Sequence, residues 1–117
     1  MSNPTGLPYT PSVAVGEWVV VSGQLGLRDG ALVADFAGEV DQAIANLSER
    51  LTDHGLGLEH VVKTTCFLSD LDQFGVFNER YGAAFGEPRP ARSAFQVARL
   101  PLDANVEIEA WAHRGSA

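Results

Sequence analysis

The sequence predicts an α+β fold in which two helices pack on one face of a mixed six-stranded sheet. Two segments repeat their apolar residues with helical spacing, and the segments around them are β-branched or alternate between apolar and polar residues. The resulting order is β-β-β-α-β-α-β-β. With 117 residues and no linker, repeat or low-complexity stretch, residues 1–117 are expected to form a single domain.

The strands are predicted from their side-chain patterns. The β-branched run at residues 18–22 is typical of a strand covered on both faces. Residues 24–27 and 31–33 flank the pair Asp29-Gly30, which favours a tight hairpin because both turn residues tolerate positive φ. Residues 60–68 are rich in Val and Thr and read as a further strand.

The first helix is expected to begin near residues 36–39, with Gly55 as a C-cap. Its apolar positions follow the spacing of one helix face, and they are Val40, Ala43, Ile44, Leu47 and Leu51. The second helix is preceded by residues 69–72, which supply N-cap and acidic first-turn chemistry, and Gly86 can end it. Its apolar stripe is Phe74, Phe77, Tyr81 and Phe85.

Asn78 interrupts this apolar stripe. It lies four residues after Phe74, on the same side of the helix. A side-chain amide in that position must find hydrogen-bond partners or face a polar cavity. Helix spacing alone leaves open whether Asn78 is a satisfied core or interface residue or part of a site.

Composition excludes several classes of function. The formal net charge is −7, from 8 basic and 15 acidic residues, which disfavours binding to nucleic acids or anionic membranes. Cys66 is the only cysteine, so no intrachain disulfide forms, and mid-strand it is expected to be a buried, inert thiol. No signal peptide or membrane-spanning run is seen, so a cytoplasmic location is expected. The three histidines lack metal-ligand spacing, and no metal or cofactor is expected.

Arg92 lies in a strand-like stretch, residues 90–97, and a second strand, residues 106–111, carries Glu107. Arginine and glutamate are rarely buried in a sheet unless they form an ion pair or take part in binding or catalysis. A structural Arg–Glu pair between neighbouring strands is one interpretation. The other is a site in which the guanidinium grips a small carboxylate and the carboxylate activates water. These two residues alone leave both open.

Six segments carry a resemblance to a known family. They are residues 6–11 (GLPYTP), 21–24 (VSGQ), 62–65 (VKTT), 77–81 (FNERY), 90–93 (PARS) and 106–110 (VEIEA). In this order and spacing they resemble the RidA/YjgF family of enamine/imine deaminases. The resemblance extends from about residue 8 to residue 112.

The resemblance implies a chorismate-mutase-like fold and a homotrimer with sites in the clefts between subunits. It implies hydrolysis of 2-imino or enamine acids to 2-keto acids and ammonia, without a cofactor. Arg92 would clamp the substrate carboxylate, and Glu107 would activate water. Glu109 is expected to point away from Glu107. The other residues expected to bind substrate are Tyr9, Ser22 and Asn78, with backbone amides around Ala94.

Two positions depart from the family pattern. Ala94 stands where many relatives have Cys, and Gln96 stands where an acidic residue is common. Imine hydrolysis needs no thiol, so the loss of Cys at position 94 is expected to spare activity. Both changes are expected to alter the shape of the pocket and its substrate preference. A small-carboxylate binding module, and a ribonuclease or stress-response chaperone, stay open as alternatives.

The sheet face away from the helices raises a separate question. Two helices cover only one face of a sheet, and residues 106–111 alternate so as to give their strand two distinct faces. Trp18, Phe95 and Trp111 are therefore expected either to be covered by a partner subunit or to belong to the subunit's own core.

Overall fold

The computed structural model describes residues 6–116, which form seven strands, two α-helices and three short 3-10 turns. The strands are β1 (Ser12–Val15), β2 (Trp18–Leu25), β3 (Leu27–Arg28), β4 (Ala31–Leu32), β5 (Val61–Leu68), β6 (Ala91–Gln96) and β7 (Val106–His113). The helices are α1 (Phe36–Thr52) and α2 (Phe74–Ala84). The main sheet has the order β1-β2-β7-β5-β6, and β3 pairs with β4 in a separate hairpin.

The α+β class is confirmed, but the count of six strands in one sheet is wrong. The sheet is mixed, because β5 pairs parallel with β6 and antiparallel with β7. Residues 18–22 and 24–25 belong to one continuous strand, β2, and the edge strand β1 was not predicted. Asp29 and Gly30 make the expected turn with φ of 54° and 83°. Only two residues on each side of that turn pair, so the hairpin stays outside the sheet.

Helix α1 begins and packs as its sequence pattern predicts. Asp35 caps it, its carboxylate accepting a hydrogen bond from the Gly38 amide at 2.8 Å. All five predicted apolar positions are buried: Val40, Ala43, Ile44, Leu47 and Leu51. Asp53 occupies the C-cap, and Gly55 takes a φ of 75° two residues later, so the expected cap at Gly55 is displaced. Apolar burial along this stripe attaches α1 to the sheet.

The face of the sheet away from the helices is open within one subunit. On β2, Val19 is fully buried under the helices while Trp18 is 39% exposed, so this strand is covered on one face and not on both. Phe95 and Trp111 are 52% and 47% exposed. The three aromatics therefore do not belong to the subunit's own core.

A buried carboxylate at the start of α1 fixes the start of β7. Glu39 is 1% exposed, and its two oxygens accept from the backbone amide and the side-chain amide of Asn105 at 2.7 and 3.0 Å. The Asn105 side-chain oxygen accepts from the Ser69 hydroxyl at 2.9 Å. Since Asn105 directly precedes β7, this network ties α1 and the end of β5 to the strand that carries Glu107.

Within residues 6–116, neither helix has the length and apolar character needed to cross a membrane.

Candidate active site

Arg92 lies on β6, the edge strand of the sheet, on the face covered by α2. The Cα atom of Arg92 pairs with that of Thr64 on β5, which in turn pairs with Ala110 on β7. Thr64 and Ala110 are both fully buried beneath the helices. Side chains paired across strands share a face, so Arg92 also points toward α2.

The Arg92 guanidinium is held by one amide and three aromatic rings. Its Nη1 donates to Asn78 Oδ1 at 2.8 Å. Its Cζ lies 5.3, 5.6 and 5.0 Å from the ring centroids of Phe74, Phe77 and Tyr81. These rings attract the cation without neutralising it. Among residues 6–116 no carboxylate pairs with Arg92, so its positive charge stays available to an anion.

The amide of Asn78 therefore finds its partner in the cation. The Tyr81 ring beside that cation is itself held by a hydrogen bond that the sequence did not predict. The Tyr81 hydroxyl and Thr64 Oγ1 lie 2.6 Å apart in a buried hydrogen bond. Burial raises the pKa of Tyr81, and the hydrogen bond to Thr64 and the Arg92 charge oppose that rise only in part. Tyr81 is thus neutral, and its hydrogen bond to Thr64 fixes the ring that lies against the Arg92 guanidinium.

A cavity of about 400 Å³ opens beside Arg92, and we call it the arginine cavity. Its described lining is Asn78, Tyr81, Gly82, Arg89, Pro90 and Arg92. Arg89 was not singled out from the sequence. The signal was present in Arg-Pro-Ala-Arg, where two cations lie three residues apart around a proline at the start of a strand.

Glu107 lies on the opposite, open face of the sheet. Its neighbours Val106 and Ile108 are fully buried toward the helices, so the pleat turns Glu107 outward. The side chain lies over β2 at a register shift between Val21 and Gln24. A Cβ added at Gly23 would be 2.5 Å from Glu107 Oε2, so any larger residue there would displace the Glu107 carboxylate from this position.

The surroundings of Glu107 favour its protonated form. Partial burial raises the pKa of Glu107, and the nearby charge of Glu109 raises it further. The expectation that Glu109 points away from Glu107 is wrong, because residues two apart in a strand share a face. A carboxyl group with a raised pKa is a better proton acceptor near neutral pH.

Glu107 lines a second cavity of about 590 Å³, the glutamate cavity, together with Tyr9 and Ser22. The Ser22 hydroxyl donates to the Thr10 carbonyl at 2.7 Å, which fixes the segment that carries Tyr9. Arg50 also reaches this cavity. Its guanidinium, however, contacts Glu49 at 3.2 Å and Asp53 at 3.1 Å, so its charge is largely compensated.

The predicted site residues thus divide into two groups within one subunit. Tyr9, Ser22 and Glu107 share the glutamate cavity, and Asn78 and Arg92 share the arginine cavity. The strands of Arg92 and Glu107 are not neighbours, because β5 lies between them. The two side chains are also on opposite faces, so a structural Arg–Glu pair within the subunit is wrong.

Ala94 and Gln96, the two departures from the family pattern, follow Arg92 on the same face of β6. Ala94 is partly buried against the core and pairs with Cys66 on β5. The Gln96 side-chain oxygen accepts from the Leu71 amide at 2.9 Å and so ties β6 to the turn before α2. The uncharged Gln96 side chain is sufficient to accept this hydrogen bond.

Cys66 is buried inside β5, as expected. Burial raises the pKa of its thiol to about 11, with small opposing effects from Thr64 and from the Arg92 charge. Cys66 and Arg92 nevertheless lie on the same face of adjacent strands. Cys66 and Glu107 are on opposite faces. Burial, and not distance from the guanidinium, limits the access of reagents to the thiol.

Iodoacetamide is expected to leave the imine hydrolysis that the family resemblance implies almost unchanged while the protein stays folded. The reason is that a buried thiol with a raised pKa reacts slowly. Cys66→Ser should lower the melting temperature while turnover stays close to that of the wild type, since it puts a more polar group into the buried core. The measurement is residual activity against alkylation time, beside a thermal melt. Rapid inactivation that Cys66→Ser abolishes would show that the thiol is exposed to the site.

The chain is thus a small α+β protein with two helices on one face of a five-stranded sheet, a guanidinium cleft under α2 and a carboxylate cleft on the open face. The family model described as Endoribonuclease L-PSP matches residues 2–114. The chain belongs to this family, the RidA/YjgF family, as its six sequence segments predict.

Relatives and solved structures agree with this family assignment. A mouse protein named 2-iminobutanoate/2-iminopropanoate deaminase is 44% identical over 111 residues, covering 92% of this chain and 82% of that protein. An Escherichia coli protein of the same name is 39% identical, covering 92% and 88%. The crystal structure of RidA from an Antarctic Psychrobacter superposes with a TM-score of 0.90 at 37% identity, covering 96% of this chain and 93% of that one.

Proposed function

We propose that this protein hydrolyses 2-imino acids and their enamine tautomers to 2-keto acids and ammonia. The observation that carries the proposal is the Arg92 guanidinium, which forms no ion pair within residues 6–116, is held against aromatic rings and is open to a cavity. The names of the mouse and E. coli relatives support the reaction. The test is clearance of 2-iminopropanoate and 2-iminobutanoate generated in situ, followed by the ammonia and keto acid released.

The proposed chemistry depends on positioning. Arg92 grips the substrate carboxylate through two parallel N–H donors, helped by backbone amides near Ala94. A protonated imine carbon is already electrophilic, so neither a covalent nucleophile nor a metal ion is needed. Water adds to that carbon as Glu107 takes one of its protons, which gives a carbinolamine. Proton transfer to nitrogen then breaks the C–N bond, and ammonia leaves as the carbonyl forms.

Glu107 suits this role because its pKa is raised and its side chain lines a cavity with other polar groups. In the proposal Tyr9 and Ser22 orient the water or the imine nitrogen by hydrogen bonding. Asn78 keeps the Arg92 guanidinium in the plane that a carboxylate requires. No step uses a thiol, which is compatible with Ala94.

We further propose a homotrimer in which the arginine cavity of one subunit faces the glutamate cavity of the next. Two observations support a shared site: the opposite faces of Arg92 and Glu107, and the exposed aromatics on the open face. An interface over Trp18 and Trp111, which meet edge to face at 6.2 Å, would bury a large apolar area.

Mixing two inactive variants tests the shared site. Arg92→Lys and Glu107→Gln are each expected to be nearly inactive alone. After subunit exchange at a 1:1 ratio, about one site in four combines an intact Arg92 with an intact Glu107, because a ring pairs each subunit with its neighbour. Activity should return to about that fraction of wild type.

Light scattering on the mixed sample provides the control and should report a trimer. A stable monomer at micromolar concentration, or a trimer whose activity does not recover on mixing, would contradict the shared site.

A small-carboxylate binding module is the second candidate, because the Arg92 cradle is complete within one subunit. Titration with 2-ketobutyrate separates the two proposals. Stoichiometric binding without any imine turnover would favour the binding module. The net charge of −7 gives no support to a ribonuclease.

A further inference from the structure

We propose that Arg89 is a second anion-binding group in the arginine cavity, so that the preferred substrates are 2-imino acids with a second acidic group, such as 2-iminosuccinate or 2-iminoglutarate. The inference rests on the proposed function, since it assigns a substrate class to the same site. Arg92 would take the carboxylate next to the imine, and Arg89 the carboxylate at the far end.

The charge pattern of the cavity supports two anionic groups. Arg89 and Arg92 both line it, and none of its described lining residues carries a carboxylate. The remaining described lining includes the Asn78 amide and the Tyr81 ring. In a protein of net charge −7, two arginines around one concave site form a local positive field. A monocarboxylate bound at Arg92 would leave Arg89 with only the exposed Glu87 as its counter-charge.

The position of Arg89 is fixed by the backbone. Its Nε donates to the Phe85 carbonyl at 3.1 Å and its Nη2 to the Gly82 carbonyl at 3.2 Å, at the C-terminal end of α2. Pro90 follows directly, and its ring fixes φ between the two cations. The separation of the two guanidinium groups is therefore set by the end of a helix and the start of a strand.

The carboxylate that now contacts Arg89 is weakly held. Glu87 Oε1 accepts from Arg89 Nη1 at 2.7 Å, but the Glu87 side chain is 76% exposed and that of Arg89 is 47% exposed. Exposed ion pairs of this kind add little stability. Only three of the five guanidinium N–H groups are bonded within residues 6–116. A ligand carboxylate can use the remaining two or displace Glu87.

Helix capping is the competing role for Arg89, since it bonds carbonyls of the last turn of α2. Loss of a cap would lower stability and would affect all substrates alike. A second anion site instead predicts a change in the ratio of activities toward dicarboxylic and monocarboxylic imines. That ratio is the quantity to measure.

The experiment compares imines generated in situ from aspartate, glutamate and alanine by amino acid oxidases. Arg89→Gln is expected to lower kcat/KM for the two dicarboxylic imines by about tenfold, the effect of one lost charged hydrogen bond, and for 2-iminopropanoate by less than about twofold. Glu87→Gln should raise kcat/KM for the dicarboxylic imines, because it removes the competing carboxylate. Arg80→Gln is the matched control, since Arg80 also pairs with an exposed carboxylate, Asp41, but lines a different groove.

The possible outcomes separate this inference from the proposed function. If 2-iminopropanoate is hydrolysed and Arg89→Gln changes all three rates equally, the second anion site is wrong and the hydrolase stands. If no imine is hydrolysed by the wild type, both proposals fail. A drop confined to the dicarboxylic imines, absent in Arg80→Gln, establishes the assignment.

Discussion

Arg92→Lys is expected to lower kcat/KM for imine hydrolysis roughly a hundredfold, because lysine keeps the charge but loses the planar pair of donors that grips a carboxylate. Lysine also lacks the flat surface that lies against the rings of Phe74 and Tyr81. The measurement is steady-state clearance of 2-iminopropanoate and 2-iminobutanoate.

Arg80→Lys is the control for the general effect of an arginine-to-lysine change. Arg80 makes two bonds to Asp41, at 2.8 and 2.7 Å, in a separate groove between α1 and α2. This variant should keep wild-type turnover. Near-wild-type hydrolysis by Arg92→Lys would contradict the assignment of Arg92 as the carboxylate clamp and therefore the proposed site.

Glu107→Gln is expected to lower kcat on the order of a hundred- to a thousandfold, the usual effect of losing a general base. Glutamine keeps the shape of the side chain over Gly23 but cannot accept the proton of the attacking water. Binding of 2-ketobutyrate should survive, since Arg92 is untouched. Glu109→Gln is the matched control, and it should keep most of the turnover because its charge acts on Glu107 only from a distance.

The pH dependence follows from the direction of the Glu107 shift. Only the ionised carboxylate accepts a proton, and its pKa lies above the ordinary 4.5. Wild-type activity should therefore decline on acidification at a higher pH than an ordinary glutamate would give, and Glu109→Gln should move that decline to lower pH. An identical profile in both proteins would contradict the assignment of the titrating group.

Replacing Glu107 by Gln should lower activity without lowering the stability of the fold at neutral pH. A carboxyl group whose folded-state pKa is raised stabilises the fold only while protonated, and that contribution is lost as pH rises through the folded-state pKa. At neutral pH the ionised Glu107 is therefore unfavourable for folding. Glu107→Gln should melt at or above the wild-type temperature at pH 7, and the difference should vanish in acid.

Local patterns predicted the parts of this fold that depend on neighbours in sequence. The apolar repeat of α1 is buried as expected, because helix geometry alone brings residues three and four apart onto one face. The turn at Asp29 and Gly30 forms for a similar reason, since these residues accept positive φ. The edge strand β1 was missed, because four residues with one buried side chain carry too little pattern.

The amino-acid pattern was enough to predict the family, the α+β class and the buried face of α1, and it singled out Arg92 and Glu107 as candidate site residues. The relative placement of these two residues depends on how the strands pair. Strand order put β5 between their strands, and the pleat turned them to opposite faces of the sheet. It also brought Arg89 into the cavity of Arg92, by joining the end of α2 to the start of β6. Such contacts join residues far apart in the chain, and no local periodicity encodes which strand lies beside which.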